Sequence, residues 1–249
     1  MDEQAIDVSE VPKAPTLPPV GGWPRAILFR VFALIIAGGA VYNNQDGLGA
    51  IIVLFVLVVP FERLFPRHDH QNFRRPNLNL DLGYALASPF LQAIGLVAAV
   101  FVGVLSFTWI PGLILRPYVQ SIPDPYLLLV GVAMFDLASY WTHRWYHEVP
   151  QLWKFHAIHH SPEHMDWASG FRAHPFDGTL IAPAFFFLLA AGFSPEFSGL
   201  IAVVQIVLGL FLHANVRIWL KPISKIIMTP EFHHWHHANE PEAMWCNYS

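Results

Sequence analysis

Apolar residues gather along the chain in six runs, at 26–42, 48–61, 82–110, 126–141, 179–193 and 197–212. A bilayer crossing takes about 20 residues, within a range of about 17–25. The first and third runs meet that measure comfortably. The last two are short, and Pro183 and Gly199 weaken them as regular helices. The pattern predicts six spans in three hairpins, with four spans and a re-entrant pair as the alternative.

Polar positions orient these runs. Lys and Arg favour cytoplasmic loops. With the N-terminus inside, the inner loops hold Lys13, Arg25, Arg63, Arg67, Arg74, Arg75, Arg144, Lys154, Arg172, Arg217, Lys221 and Lys225, with Arg30 near the inner end of the first run. The outer loops hold only Arg116. Either count of spans returns the segments after 141 and after 212 to the cytoplasmic side. The expected fold is therefore all-α: a polytopic membrane protein capped on its cytosolic face by helices.

Composition agrees with a membrane protein. The chain is 54% hydrophobic and 13% charged, against about a quarter charged in soluble domains. A formal charge of -4 and the lack of a basic cluster argue against a nucleic-acid partner. The single cysteine, Cys246, excludes a disulfide framework or a thiolate metal cluster. Residues 1–22 are Pro-rich, carry no secretory signal peptide and read as a disordered cytosolic tail. Residues 23–110 then form N-terminal membrane helices, and 126–249 the domain that carries the chemistry.

That chemistry is concentrated in histidines. Residues 141–160, WTHRWYHEVPQLWKFHAIHH, hold His143, His147, His156, His159 and His160, and residues 231–237, EFHHWHH, repeat the spacing with His233, His236 and His237. Residues three or four apart share a helix face, so each run can aim two or three imidazoles at one point, and neutral imidazole is a common metal ligand. Eight such histidines are too many for one tetrahedral ion and suit two metals. Glu148-Val149-Pro150 is expected to break the helix between the first two groups. His213, at the end of the last apolar run, and His174, in the 171–177 loop, are further candidates by position rather than spacing. His164 and His234 do not fit the spacing and read as residues that support the ligands from behind or as structural residues, and His68 and His70 as surface residues.

Asp136 and Tyr140 fall on the helix face of His143 and His147. An acid within a span is costly and faces the bundle interior with a partner. Asp136 is thus a candidate acceptor that orients a metal-bound imidazole; the plainer reading is an interior carboxyl satisfied by a hydroxyl. Competing chemistries lack their signatures: there is no G-x-G-x-x-G, no G-x-x-x-x-G-K-[ST], no H-E-x-x-H and no G-x-S-x-G.

His143-x-x-x-His147, His156-x-x-His159-His160 and His233-x-x-His236-His237, with Asp136 ahead of the first motif and His174-Pro175 in the central loop, resemble the fatty acid hydroxylase / sterol desaturase superfamily of membrane di-iron oxygenases, and most of all its bacterial sterol-desaturase-like branch. The resemblance covers about 136 to the end of the chain. It implies two irons, replaceable by zinc, held by the eight motif histidines with His174 and His213. It also implies dioxygen as co-substrate and a lipid whose C–H bond is hydroxylated or desaturated. Electrons would come from an external reductase with a ferredoxin or a b-type cytochrome. The setting would be a bacterial inner membrane, or an ER-type membrane in a eukaryote. All-imidazole ligation leaves such a pair strongly positive and calls for anions nearby, with Asp136, Asp166 and Asp177 as candidates.

Two features depart from the family. Arg217 stands where fatty acid 2-hydroxylases place the second histidine of a late His-x-x-x-His pair, which leaves the ninth and tenth ligands open among His213, His174 and Asn215. Family members also continue past a similar Asn-Tyr step, so the sequence reads as C-terminally incomplete. Two other classes compete: a membrane metal transporter, which needs ionisable ligands within several spans, and a zinc-dependent membrane lipid hydrolase.

Overall fold

The computed structural model describes residues 45–217, 227–244 and 246–248. The 1–22 tail, the run at 26–42 and the basic residues Lys13, Arg25, Arg30, Lys221 and Lys225 lie outside these. Among the described residues the fold is all-helical, with one isolated bridge between Pro66 and Val216 and no strand.

Nine α-helices follow one another among those residues: α1 Gln45–Leu64, α2 Leu78–Leu105, α3 Trp109–Val119, α4 Asp124–Glu148, α5 Pro150–His159, α6 Ala182–Ala191, α7 Pro195–Leu212, α8 Pro230–His236 and α9 Pro241–Met244. Two 3-10 turns, Ser169–Phe171 and Pro175–Leu180, link α5 to α6. Proline opens α4, α5, α7 and α8 within the first two positions, where its missing N–H costs nothing and its φ is already helical. The predicted break lies at Val149, whose extended backbone separates α4 from α5.

One core cluster gathers Val119, Phe135, Ala138, Ala184, Phe187, Leu188, Ala191, Phe193 and Ile201, uniting α3, α4, α6 and α7. The α6 sequence, APAFFFLLAA, is apolar on every side, as a helix covered all round must be. Outward-facing side chains are apolar as well: Val56 and Leu57 on α1, Val97 and Phe101 on α2, Leu129 and Leu137 on α4, and Leu200 and Val203 on α7 are all more than half exposed.

By length and composition, one described helix, α7, can cross a membrane, or two if the bent α2 counts as one span. The α2 helix, which holds most of the 82–110 run expected to be a single crossing, bends by 70° between Leu78–Ser88 and Ala93–Leu105, and the two halves together are long and apolar enough for one broken span. Pro89 lies in the sequence at that break, and a proline inside a helix has no N–H for one rung of the hydrogen-bond ladder. The stretch expected as an outer loop around Arg116 is helical too, as α3.

Candidate metal centre

Helix ends build the site. The α4 helix carries His143 and His147 one turn apart near its C-terminus. His156 and His159 occupy the last turn of α5, with His160 its C-cap. His233 and His236 lie on α8, with His237 its C-cap, and His213 caps α7. Three helices thus end on a histidine of the site, so the partial negative charge of their C-terminal carbonyls favours a cation there.

Nine histidines meet in two groups. His143, His147, His156, His160 and His236 form one, and His159, His213, His233 and His237 the other; within each, one ring nitrogen per residue lies within 4.8 Å of every other. The groups adjoin through His160 and His237, whose rings stack at 4.1 Å and 12°.

Hydrogen bonds behind the rings decide which nitrogen faces inward. His143 Nδ1 lies 2.6 Å from the Tyr248 carbonyl, His236 Nδ1 2.7 Å from that of Cys246, His159 Nδ1 3.2 Å from that of Arg172, and His213 Nδ1 2.7 Å from that of Gly209. A carbonyl only accepts, so each Nδ1 carries the proton and each Nε2 keeps its lone pair. Yet Nε2 of His143 is 3.3 Å from Nε2 of His236, and Nε2 of His213 is 3.2 Å from Nε2 of His159. Two acceptors at that distance repel unless a cation lies between them. Nitrogens bound at about 2.0–2.1 Å to one ion sit about 3.0–3.4 Å apart, which matches these spacings and the 3.0 Å and 3.2 Å separations of His143–His156 and His213–His233.

Extra protons do not resolve the conflict. Burial lowers His143 and His213 to about 4, and burial, with neighbouring imidazoles, holds His156, His159, His160, His233, His236 and His237 well below the ordinary value. Among the described residues, His160 Nε2 and both nitrogens of His237 are buried with no hydrogen-bond partner. A neutral, lone-pair-lined, all-nitrogen site of this kind fits a pair of borderline transition-metal ions.

Of the three candidate anions, Asp177 is the one that lies against a histidine of the site. Asp136 is exposed and makes no hydrogen bond among the described residues. The carboxyl group at the site is that of Asp177, whose Oδ1 lies 3.3 Å from His156 Nδ1 and whose pKa burial raises to about 7. His174 stays outside both groups: its Nδ1 accepts from the Phe176 N–H, its own N–H donates to Asp177 Oδ2, and its ring packs on Phe155 and Phe176. It shapes the turn that presents Asp177. Tyr140 accepts at 3.4 Å from Arg144 and packs edge-on against Tyr248, one ring removed from the histidines.

Asp166, a third candidate anion, is taken by Arg75 through bonds of 2.5 and 2.6 Å and also accepts from the Ala168 and Ser169 N–H groups. The fully buried Asp81 pairs with both Arg75 and Arg172, which anchors the loop whose Arg172 carbonyl holds His159. Asn215 turns its carboxamide to the backbone of His68 rather than to the site. His68 is no surface residue: it is part-buried and stacks on His234 at 10°, with Nε2 3.2 Å from His234 Nδ1. His234 Nε2–H in turn donates to the His213 carbonyl. Glu62, absent from the sequence reading, accepts from the Trp167 and Asn215 N–H groups and ties α1 to the strand-like stretch after His213. No spacing rule marks it.

Residues 128–249 match the family model described as fatty acid hydroxylase. Ornithine lipid hydroxylase OlsE of Rhizobium tropici is 29% identical over 199 residues, which cover 76% of this chain and 56% of that protein. Alkylglycerol monooxygenase of Danio rerio is 28% identical over 127 residues, 50% of this chain and 27% of that protein, and the Homo sapiens enzyme of the same name is 27% identical over 124 residues. The chain thus spans about half the length of the first relative and about a quarter of the others. No solved structure matches it significantly.

Proposed function

Since residues 128–249 belong to the fatty acid hydroxylase family, we propose that the two histidine groups hold a pair of irons and that the chain hydroxylates a membrane lipid. The observation that carries this reading is the facing of Nε2 lone pairs at 3.2–3.3 Å within each group. Bound there, the irons would supply the activation of dioxygen needed to attack an unactivated C–H bond. The chain's own part is to hold and shield. Four backbone carbonyls and Asp177 orient the imidazoles, helix C-termini favour the cations, and burial excludes bulk water.

The ligand set in this reading is His143, His147, His156, His160 and His236 for one iron and His159, His213, His233 and His237 for the other. Asp177 takes the orienting role first expected of Asp136, and His174 supports it without touching metal. Zinc competes for the same nitrogens because it outranks ferrous iron at a given site.

A lipid substrate is supported by the exposed apolar faces of α1, α2, α4 and α7, and by relatives named for ornithine lipid and alkylglycerol. Both names describe oxygen insertion, which favours hydroxylation over desaturation. We place the site on the cytoplasmic face of a multi-pass protein, where an external reductase with a ferredoxin or b-type cytochrome delivers electrons. The test is comparative lipidomics of cells with and without the gene. A lipid that gains one oxygen is expected; loss of two hydrogens would move the reaction to desaturation. Lipid turnover without reductant would favour a hydrolase, and metal flux into vesicles without lipid change a transporter.

A further inference from the structure

We propose that Cys246-Asn247-Tyr248 is a backbone clamp for the five-histidine group and that Asn247 is the positioning residue that sets it. The inference rests on that group holding a metal ion. His143 comes from α4 and His236 from α8, two helices far apart in sequence. Their inward nitrogens face each other at 3.3 Å, and their outer nitrogens are held by carbonyls only two residues apart, those of Tyr248 at 2.6 Å and Cys246 at 2.7 Å. The separation of those two acceptors is governed by the residue between them.

Asn247 has φ 57, in the left-handed region. Among non-glycine residues asparagine enters this region most readily, and a β-branched residue there is an outlier. The turn also seats the buried Tyr248 ring against His143 at 5.8 Å, His147 at 5.1 Å and His236 at 5.8 Å. One tripeptide therefore touches three of the five imidazoles and orients two of them. The four-histidine group takes its carbonyls elsewhere, from Arg172 and Gly209. Loss of the clamp should accordingly affect one centre and spare the other.

The experiment compares the full chain with Asn247→Val and Asn247→Gly, each purified with iron under reducing conditions. Iron content and the spectroscopic signature of a coupled pair are read alongside turnover. The wild type is expected to hold two irons, and Asn247→Val one, with affinity at the weakened centre about 10–100-fold lower and the coupled signature lost. Asn247→Gly, which adopts positive φ freely, should restore two. Adding His213→Ala to Asn247→Val should remove the remaining iron. Wild-type iron affinity at both centres of Asn247→Val would overturn the proposal. So would loss of one iron in both variants, which would place the effect in the asparagine side chain, or loss of both irons in Asn247→Val, which would deny selectivity. If Asn247→Val does not accumulate, Asn247→Ala is read by the same criteria. Fewer than two irons in the wild type would defeat the di-iron reading itself, a result distinct from any of these.

Discussion

His156 and Asp177 face each other behind the five-histidine group, imidazole Nδ1 to carboxylate Oδ1 at 3.3 Å, both buried. A carboxylate behind a ligating histidine fixes its tautomer and raises its basicity. Asp177→Asn is therefore expected to fold but to lower metal affinity or turnover about 10–100-fold, whereas the exposed Asp136→Asn leaves both at the wild-type level. Iron content and product formation at matched protein levels check the pair; the reverse order of effects would return the orienting role to Asp136.

Gly95 is required by the same turn. A Cβ built on it would lie 2.1 Å from the Pro175 carbonyl oxygen, an impossible contact with backbone. Gly95→Ala must push the Pro175–Leu180 turn off α2 and, with it, Asp177. Overpacking of this kind costs about 1–3 kcal/mol. A lower melting temperature and weaker iron retention are expected together, measured by thermal unfolding and metal analysis in the same preparation.

The depressed imidazoles set the acid limit. Groups whose folded pKa lies below the unfolded value near 6.5 bind fewer protons when folded, so their contribution is complete above that value and is lost as pH falls towards about 4, where His143 and His213 titrate. The metal-free protein should lose stability steeply between about pH 6.5 and 4, taking up several protons at once, and the loaded protein should release metal over the same range. Thermal melts and metal release across that range measure this; a flat profile would mean the imidazoles are not buried and neutral.

Topology is tested by reporters fused after His160 and after His213. Both should report the cytoplasm, with one near Arg116 on the opposite side. Disagreement between the first two would prevent the two histidine runs from sharing a site.

Much of the site was legible because ligand spacing and helix period coincide. His-x-x-His-His places three imidazoles on one face whatever the surroundings, and Pro150 announces the turn between α4 and α5. Asp177 is legible only as one of three candidate anions, since it acts from a 3-10 turn and its pairing with His156 is set by the fold rather than by spacing. Asp136 illustrates the limit of a face argument. It shares an azimuth with His143 but stands seven residues earlier, about 10 Å along the axis, which a carboxylate cannot span. The imidazole of His174 marks it as a candidate ligand, whereas its Nδ1 accepts from the backbone N–H of Phe176. The apolar length of 82–110 is read as one crossing, and the bend within it is compatible with one broken span; Pro89 is the local signal for that bend.

The most direct test of the account is the iron content of the full chain, purified under reducing conditions with iron supplied, beside a variant in which His233, His236 and His237 are all alanine. Two irons per chain are expected in the wild type. The variant should lose the pair, because three of the nine ligands, drawn from both groups, are removed. One iron per wild-type chain, or two that survive in the triple variant, would contradict it.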